Sequence, residues 1–428
     1  MTDRNANRPG YKKTSVGWIP AGWALCPLST VAEVQTGVAK GKNNLRQPVR
    51  MPYLRVANVQ DGHVDLSEIK EIAVEADEVD RYRLRSGDVL FTEGGDFDKL
   101  GRGCVWSGQV DPCLHQNHVF AVRCADADLL PYILASLASS PYGRRYFTLS
   151  SKQSTNLASI NSTQLKSFPL PLPPLSEQKK IAEILSTWDE AIEQTRALLD
   201  AAKRRKKALM QQLLTGKKRL AGYADVWVNR RLRTITERIT ARPSSTHGYP
   251  VLSITAGTGF VSQEEKFSKV IAGRHIDHYV LLREGEFAYN KGNSSRFPQG
   301  CAYRLREYQA GLIPDVFYSF RVKTEIAVPE FIEQFFLAGL HGEQLRRWVN
   351  TGVRNNGLLN LNSPDFFNLN VLCPGLREQR AIATLLTTAD EEIASLEAKA
   401  AALERQKKGL MQRLLTGEVR VTTLTTQT

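Results

Sequence analysis

The 428-residue chain is poor in cysteine, with six at 26, 104, 113, 124, 301 and 373, no CxxC pair and no repeated spacing. That excludes a disulfide framework and a cysteine-rich zinc site, and it reads as reduced thiols in a cytoplasmic protein. No run approaches the roughly eighteen apolar residues of a membrane span, and Met1-Thr2-Asp3-Arg4 opens without a signal peptide's apolar core. Acidic residues are also scarce. Asp and Glu number 44 against 57 Lys and Arg, leaving a formal charge of +13 and a pI near 9.4. A basic excess of this size favours a polyanionic partner, nucleic acid first. The apolar fraction of 42% is ordinary for a globular protein, and the length is too great for a single core.

Catalytic signatures are missing as well. There is no G-x-x-x-x-G-K-[ST] loop for a nucleotide triphosphate. The Asn-Pro-Pro-aromatic tetrapeptide and the Phe-x-Gly-x-Gly turn expected of an adenine methyltransferase are absent. Glu264-Glu265-Lys266 is half of a metal-dependent nuclease motif, but Pro314-Asp315 follows it, the reverse of the usual order. Cys113 and His115 would share one face of a strand while His118 points away, and a fourth zinc ligand at tetrahedral spacing is lacking. His275 and His278 have the same problem. Neither a catalytic residue nor a metal site is expected.

What the chain does have is a stretch that occurs twice. Glu177-Gln178 and Leu213-Leu214-Thr215-Gly216 return 201 residues later as Glu378-Gln379 and Leu414-Leu415-Thr416-Gly417, with about half the positions between them identical. Apolar residues at 181, 185, 188, 192, 199, 202, 209 and 213, with Thr195 at one further seam position, step by fours and threes, and the second copy keeps the rhythm from Ile382 to Leu414. Such a heptad seam predicts two long helices that pack together, each with one lysine in the seam, Lys206 and Lys407. Ser176 is a candidate N-cap, and Gly216 a C-terminal stop.

The regions before each helix repeat more loosely. Trp23 and Leu28 correspond to Trp227 and Leu232, Gly87–Phe91 to Gly285–Tyr289, and Asn161 to Asn362. Strand-like runs broken by glycine turns make each a mixed domain. The expected fold is α+β: two mixed α/β domains, 1–171 and 218–372, with helices over 172–217 and 373–428, in a pseudo-twofold tandem duplication. A helix of about 38 residues is roughly 57 Å long, whereas a domain of about 155 residues has a radius of gyration near 15 Å. The second domain joins the end of one helix to the start of the next, so the helices should run antiparallel. Exact symmetry would make facing seam residues sum to 595, placing Trp188 opposite Lys407.

Basic and amide side chains on polar loops are the candidates for contact with double-stranded DNA, because Arg and Lys bond guanine edges and phosphates while Asn and Gln pair with adenine. In the first domain these are Lys99, Arg102, Lys152, Gln153 and Asn156. In the second they are Lys291, Asn293, Ser295, Arg296, Arg354, Asn355 and Asn356.

Pro174-Leu175-Ser176-Glu177-Gln178, its partner at Leu376–Gln379, the twin Leu-Leu-Thr-Gly endings and Ile19-Pro20-Ala21-Gly22-Trp23 resemble the DNA-specificity subunit of type I restriction-modification systems. The resemblance covers essentially the whole chain. It implies two target-recognition domains, each reading half of a bipartite sequence, and helices that set the gap and dock two methyltransferase subunits, to which restriction subunits can add. It places Glu177, Gln178, Glu378 and Gln379 at the partner-binding site. It implies no catalytic activity and no cofactor in this chain, with S-adenosylmethionine, ATP and magnesium belonging to the partners. A fused methyltransferase would instead bind S-adenosylmethionine by itself, and a plain scaffold would leave its complex without any sequence preference.

Overall fold

A computed structural model describes residues 5–41, 45–95, 100–153, 158–243, 248–264, 273–292, 297–346 and 361–421. By contact the chain divides into two units, 1–195 with 399–428, and 196–398. The sequence boundaries set the helices apart as separate segments. In the structure each unit takes half of each helix into its own core.

The first unit contains β1 (Ala24–Pro27), β2 (Ala32–Thr36), β3 (Val89–Thr92), β4 (Gly103–Val105), β5 (Val119–Cys124), α1 (Pro131–Ser139), α2 (Pro141–Ser150), β6 (Pro169–Leu172) and the first half of α3 (Leu175–Leu213). The central sheet is antiparallel in the order β2-β5-β3-β4. β3 and β5 are apolar runs because both of their faces are covered. Val89, Phe91, Phe120 and Val122 enter one core, while Leu90, Val119 and Ala121 enter another on the opposite face. The first core also takes in Ile181 and Leu185 from α3 and Met411, Leu414 and Leu415 from the last helix.

The second unit repeats the plan with β7 (Val228–Arg231), β8 (Thr236–Arg238), β9 (Phe287–Asn290), β10 (Cys301–Arg304), β11 (Tyr318–Val322), α4 (Pro329–Leu337), β12 (Asn370–Cys373) and α5 (Leu376–Leu415). Its sheet runs β8-β11-β9-β10, again antiparallel. Phe287, Tyr289, Tyr318 and Phe320 share a core with Met210, Leu213 and Leu214 of α3 and Ile382 and Leu386 of α5. β1 pairs with β6, and β7 with β12, in the same antiparallel register. The tandem duplication is thus present in the four-stranded sheets and in the strand pair beside each helix.

α3 and α5 are 39 and 40 residues long, or about 58 and 60 Å at 1.5 Å per residue. In each unit the start of one helix packs with the end of the other, so the pair is antiparallel. Every seam position is buried or half-buried in both copies. Lys407 pairs with Asp189, and Lys206 with Asp390. Both pairs sum to 596, one residue from the expected facing, and each lysine head reaches a carboxylate beside the seam.

Gly216 and Gly417 stop their helices in the left-handed region, at φ +69° and +68°, where glycine carries no Cβ penalty. The amides of Lys218 and Val419 close back on the carbonyls of Gln212 and Arg413, both at 3.1 Å, as in a Schellman motif. Ser176, by contrast, is not the N-cap. The helix already begins at Leu175, and the Pro174 carbonyl accepts the first bonds, from the Glu177 and Gln178 amides.

Candidate nucleic-acid interface

Each globular part is fastened to the helices by the same few side chains. In the first unit the Trp23 indole donates to Glu177 Oε2 at 2.9 Å, and Arg420 makes two bonds to the same carboxylate at 2.7 and 2.9 Å. In the second, the Trp227 indole reaches Glu378 Oε2 at 3.1 Å, and Arg219 forks onto that carboxylate at 3.2 and 2.6 Å. Hydrogen bonding and charge from the carboxylates hold Arg219 and Arg420 above the ordinary guanidinium range. Gln178 accepts from the Leu130 amide at 3.0 Å and donates to the carbonyls of Asp128 and Pro173. Gln379 accepts from the Val328 amide at 2.9 Å and donates to Ile326 and Pro374. All four of these Glu and Gln side chains are buried. The resemblance put them at a partner surface, but their polar atoms are engaged within their own unit, holding sheet to helix.

Asp189 and Asp390 form a second repeated node. Besides the seam lysine, Asp189 accepts from the Tyr132 hydroxyl of α1, and Asp390 from the Gln334 amide of α4 at 3.0 Å. Nothing in the heptad pattern singled these two carboxylates out.

Of the candidate DNA contacts, Lys99, Asn156, Asn293, Ser295, Arg296, Arg354, Asn355 and Asn356 lie outside the described residues. The rest can be placed. Lys152 is exposed on a short strand, Lys152–Gln153, of which Gln153 is described by backbone only. That strand pairs with Ala158–Ser159, which pairs in turn with Gly94–Gly95. The two loops expected from sequence therefore meet at one site in the first unit. Glycine is required at 94, because a Cβ there would stand 2.5 Å from the Ala158 carbonyl oxygen.

Arg102 donates to Gln60 Oε1 at 2.8 Å, and the Gln60 amide donates to the Ala57 carbonyl at 2.7 Å. Arg144 of α2 pairs with Asp61 at 2.5 Å in the same turn. His118 meets Glu93 beside these strands. Gln60, Asp61 and Arg144 were not foreseen, since contacts across 42 and 83 residues of chain leave no mark in local spacing. In the second unit, Lys291 Nζ lies 5.2 Å from the Tyr318 ring centroid, and the Gly292 amide closes on Asn290 Oδ1 at 2.8 Å.

Cys113 and His115 are buried, the latter on the strand Leu114–His115 with its Nδ1 2.6 Å from the Val119 carbonyl oxygen. Burial pushes the Cys104, Cys113, Cys124 and Cys373 thiols up to about 12. Among the described residues no group of three His, Cys, Asp or Glu side chains could hold a metal ion. No described helix is long and apolar enough to cross a membrane.

Two sheets of one topology, each fastened to the same pair of long helices, define a duplicated two-domain protein. Residues 20–204 match the family described as Type I restriction modification DNA specificity domain. The chain is 25% identical over 435 residues to the MjaX type I restriction enzyme specificity subunit assigned in Methanocaldococcus jannaschii, covering 96% of this chain and 97% of that protein. It is 24% identical over 436 residues to the EcoKI specificity subunit of Escherichia coli K12, with 94% and 87% covered. In fold it is similar to the Type-I restriction-modification S subunit from M. genitalium, with TM-score 0.55, 12% identity, and 97% and 99% of the chains covered. The chain therefore resembles type I specificity subunits from end to end, as its motifs suggested.

Proposed function

We propose that this chain is the DNA-specificity subunit of a type I restriction-modification complex. Each globular unit reads one half of a bipartite double-stranded target, and the long helices set the gap between halves while docking methyltransferase subunits. Restriction subunits can join the same assembly. The chemistry on S-adenosylmethionine, ATP and magnesium then belongs to the partners, and this chain contributes recognition and spacing.

The observation that supports this reading most is the repeated tether. Trp23–Glu177–Arg420 and Trp227–Glu378–Arg219 each fix a sheet of one topology to the same two helices. A protein built to present two different readers in a constant frame needs the frame duplicated and the loops free to diverge. The helices and the Glu and Arg of the tethers keep the 201-residue offset, with Trp23 and Trp227 at 204, whereas Lys152 on a short strand and Lys291 beside Tyr318 sit in different settings.

Inserting one heptad into each long helix, between the tethers, lengthens the rod by about 10 Å. The tolerated gap between half-sites should then grow by about three base pairs, at 3.4 Å per step. The half-site sequences should not change. A gap unaltered by the insertion would sink the ruler role.

A further inference from the structure

The second unit holds a cavity of about 700 Å³, lined in part by Arg242, Arg283, Arg321, Tyr249 and Glu286. Arg321 comes from β11, Arg283 from the strand Val280–Arg283, and Arg242 from the segment after β8. At the duplicated position in the first unit the arginine is held in an ion pair. There Arg123 of β5 forks onto Asp88 at 2.9 and 2.8 Å, and Asp88 also accepts the Arg85 amide at 2.8 Å.

In the second unit Glu286 keeps the corresponding backbone bond, from the Arg283 amide at 2.7 Å. The arginine bond has loosened. Arg321 Nε stands 3.7 Å from Glu286 and 3.7 Å from Glu237, beyond hydrogen-bond length. The guanidinium that the first unit commits to its carboxylate instead lines the cavity in the second. Arg242 and Arg283 are exposed, and neither has an ion pair among the described residues. Three guanidinium groups thus line the cavity against a single lining carboxylate.

Guanidinium is charged at every working pH, and its planar fork matches the oxygens of a phosphate. We propose that this cavity is a phosphate-binding subsite. It takes the phosphate group of a nucleic-acid backbone or of a small phosphorylated molecule. Tyr249, 39% exposed among the lining residues, offers a ring face to the sugar or base beside that phosphate. The backbone source rests on the DNA-reading function above, while the phosphate chemistry does not.

The test uses the full chain carrying Arg242→Ala and Arg283→Ala together, with Arg242→Ala alone as a second variant that removes only one exposed side chain. Inorganic phosphate is titrated calorimetrically into each, and DNA affinity of the assembled complex is measured across a salt series. The wild-type chain should bind one phosphate, and the double variant should bind it at least tenfold more weakly. For DNA, the slope of log affinity against log salt should flatten by about 0.9 for each backbone phosphate that is no longer neutralised. Loss of phosphate binding with an unchanged slope assigns the subsite to a small phosphorylated ligand. A flattened slope assigns it to the DNA backbone. A wild-type chain that binds no phosphate, together with variants that leave the slope untouched, overturns the proposal. Sequence preference separates this from the broader reading. If the double variant's complex still prefers its target, the function stands whatever the phosphate titration shows. If the wild-type complex prefers no sequence, the function fails independently of this subsite.

Discussion

A few side chains decide how each globular unit holds to its helix. Gln178 and Gln379 each satisfy one buried amide and two carbonyls. Replacing either with alanine leaves those groups without partners, at a cost of about 1–3 kcal/mol for each that water cannot reach. The loss should fall on the unit that carries the change, and hydrogen exchange resolved by segment would detect it. Equal loss in both units would mean that the tethers are not local. His341 makes a second residue-scale case. It is buried against Tyr289 and Phe336, and that burial pulls its imidazole down to about 4. The unfolded chain, with a pKa near 6.5, binds the proton first as pH falls. The neutral ring's contribution to stability is therefore complete above about pH 6.5 and lost as pH falls towards 4, worth about 3 kcal/mol at most. His341→Phe should flatten the pH dependence of unfolding in that window. A slope that persists unchanged in the variant would assign the titration to another group. For the exposed Lys152, alanine should weaken DNA binding of the assembled complex and flatten its salt dependence by about 0.9; unchanged affinity and slope would remove that strand from the interface.

At the scale of elements, the seam lysines explain how a charge is tolerated inside a helix pair. Lys206 is 9% exposed, yet its ammonium meets Asp390, which also holds Gln334 of α4. Asp390→Ala should destabilise the second unit by about 1–3 kcal/mol, less than a fully buried pair because the carboxylate is partly solvated. Adding Lys206→Leu should recover most of that loss, and a double-mutant cycle in denaturant measures the coupling. Additive losses would show that the pair fixes nothing. Much of this level was legible in the sequence. Seam periodicity, Gly216 and Gly417, the Trp23/Trp227 match, and Asn161 and Asn362 as twin caps accepting the Gln164 and Asp365 amides at 2.9 Å all follow from repetition. Arg219 and Arg420 carried the same offset behind each Leu-Leu-Thr-Gly and could have been read as a pair. The pairings of Arg102 with Gln60 and of Arg144 with Asp61 could not, because they depend on segments brought together from far along the chain. Ser176 had the chemistry of a cap, but the stiff Pro173-Pro174 lead starts the helix one residue before it.

For the whole molecule, composition pointed to a polyanion and the duplication pointed to two readers. The proposed role gives specificity and spacing to this chain and leaves the chemistry to its partners. If the chain reads two half-sites, their bases are chosen by side chains whose pairing has no local sequence code.

The central claim is that one chain couples two readers at a constant separation. Mapping methylated adenines across the host genome, with and without this gene, tests it most directly. The expected result is one bipartite motif with a fixed, unread gap, methylated when the gene is present and unmethylated when it is deleted. A methylation map that does not change on deletion, or one that loses only an uninterrupted motif, would contradict it.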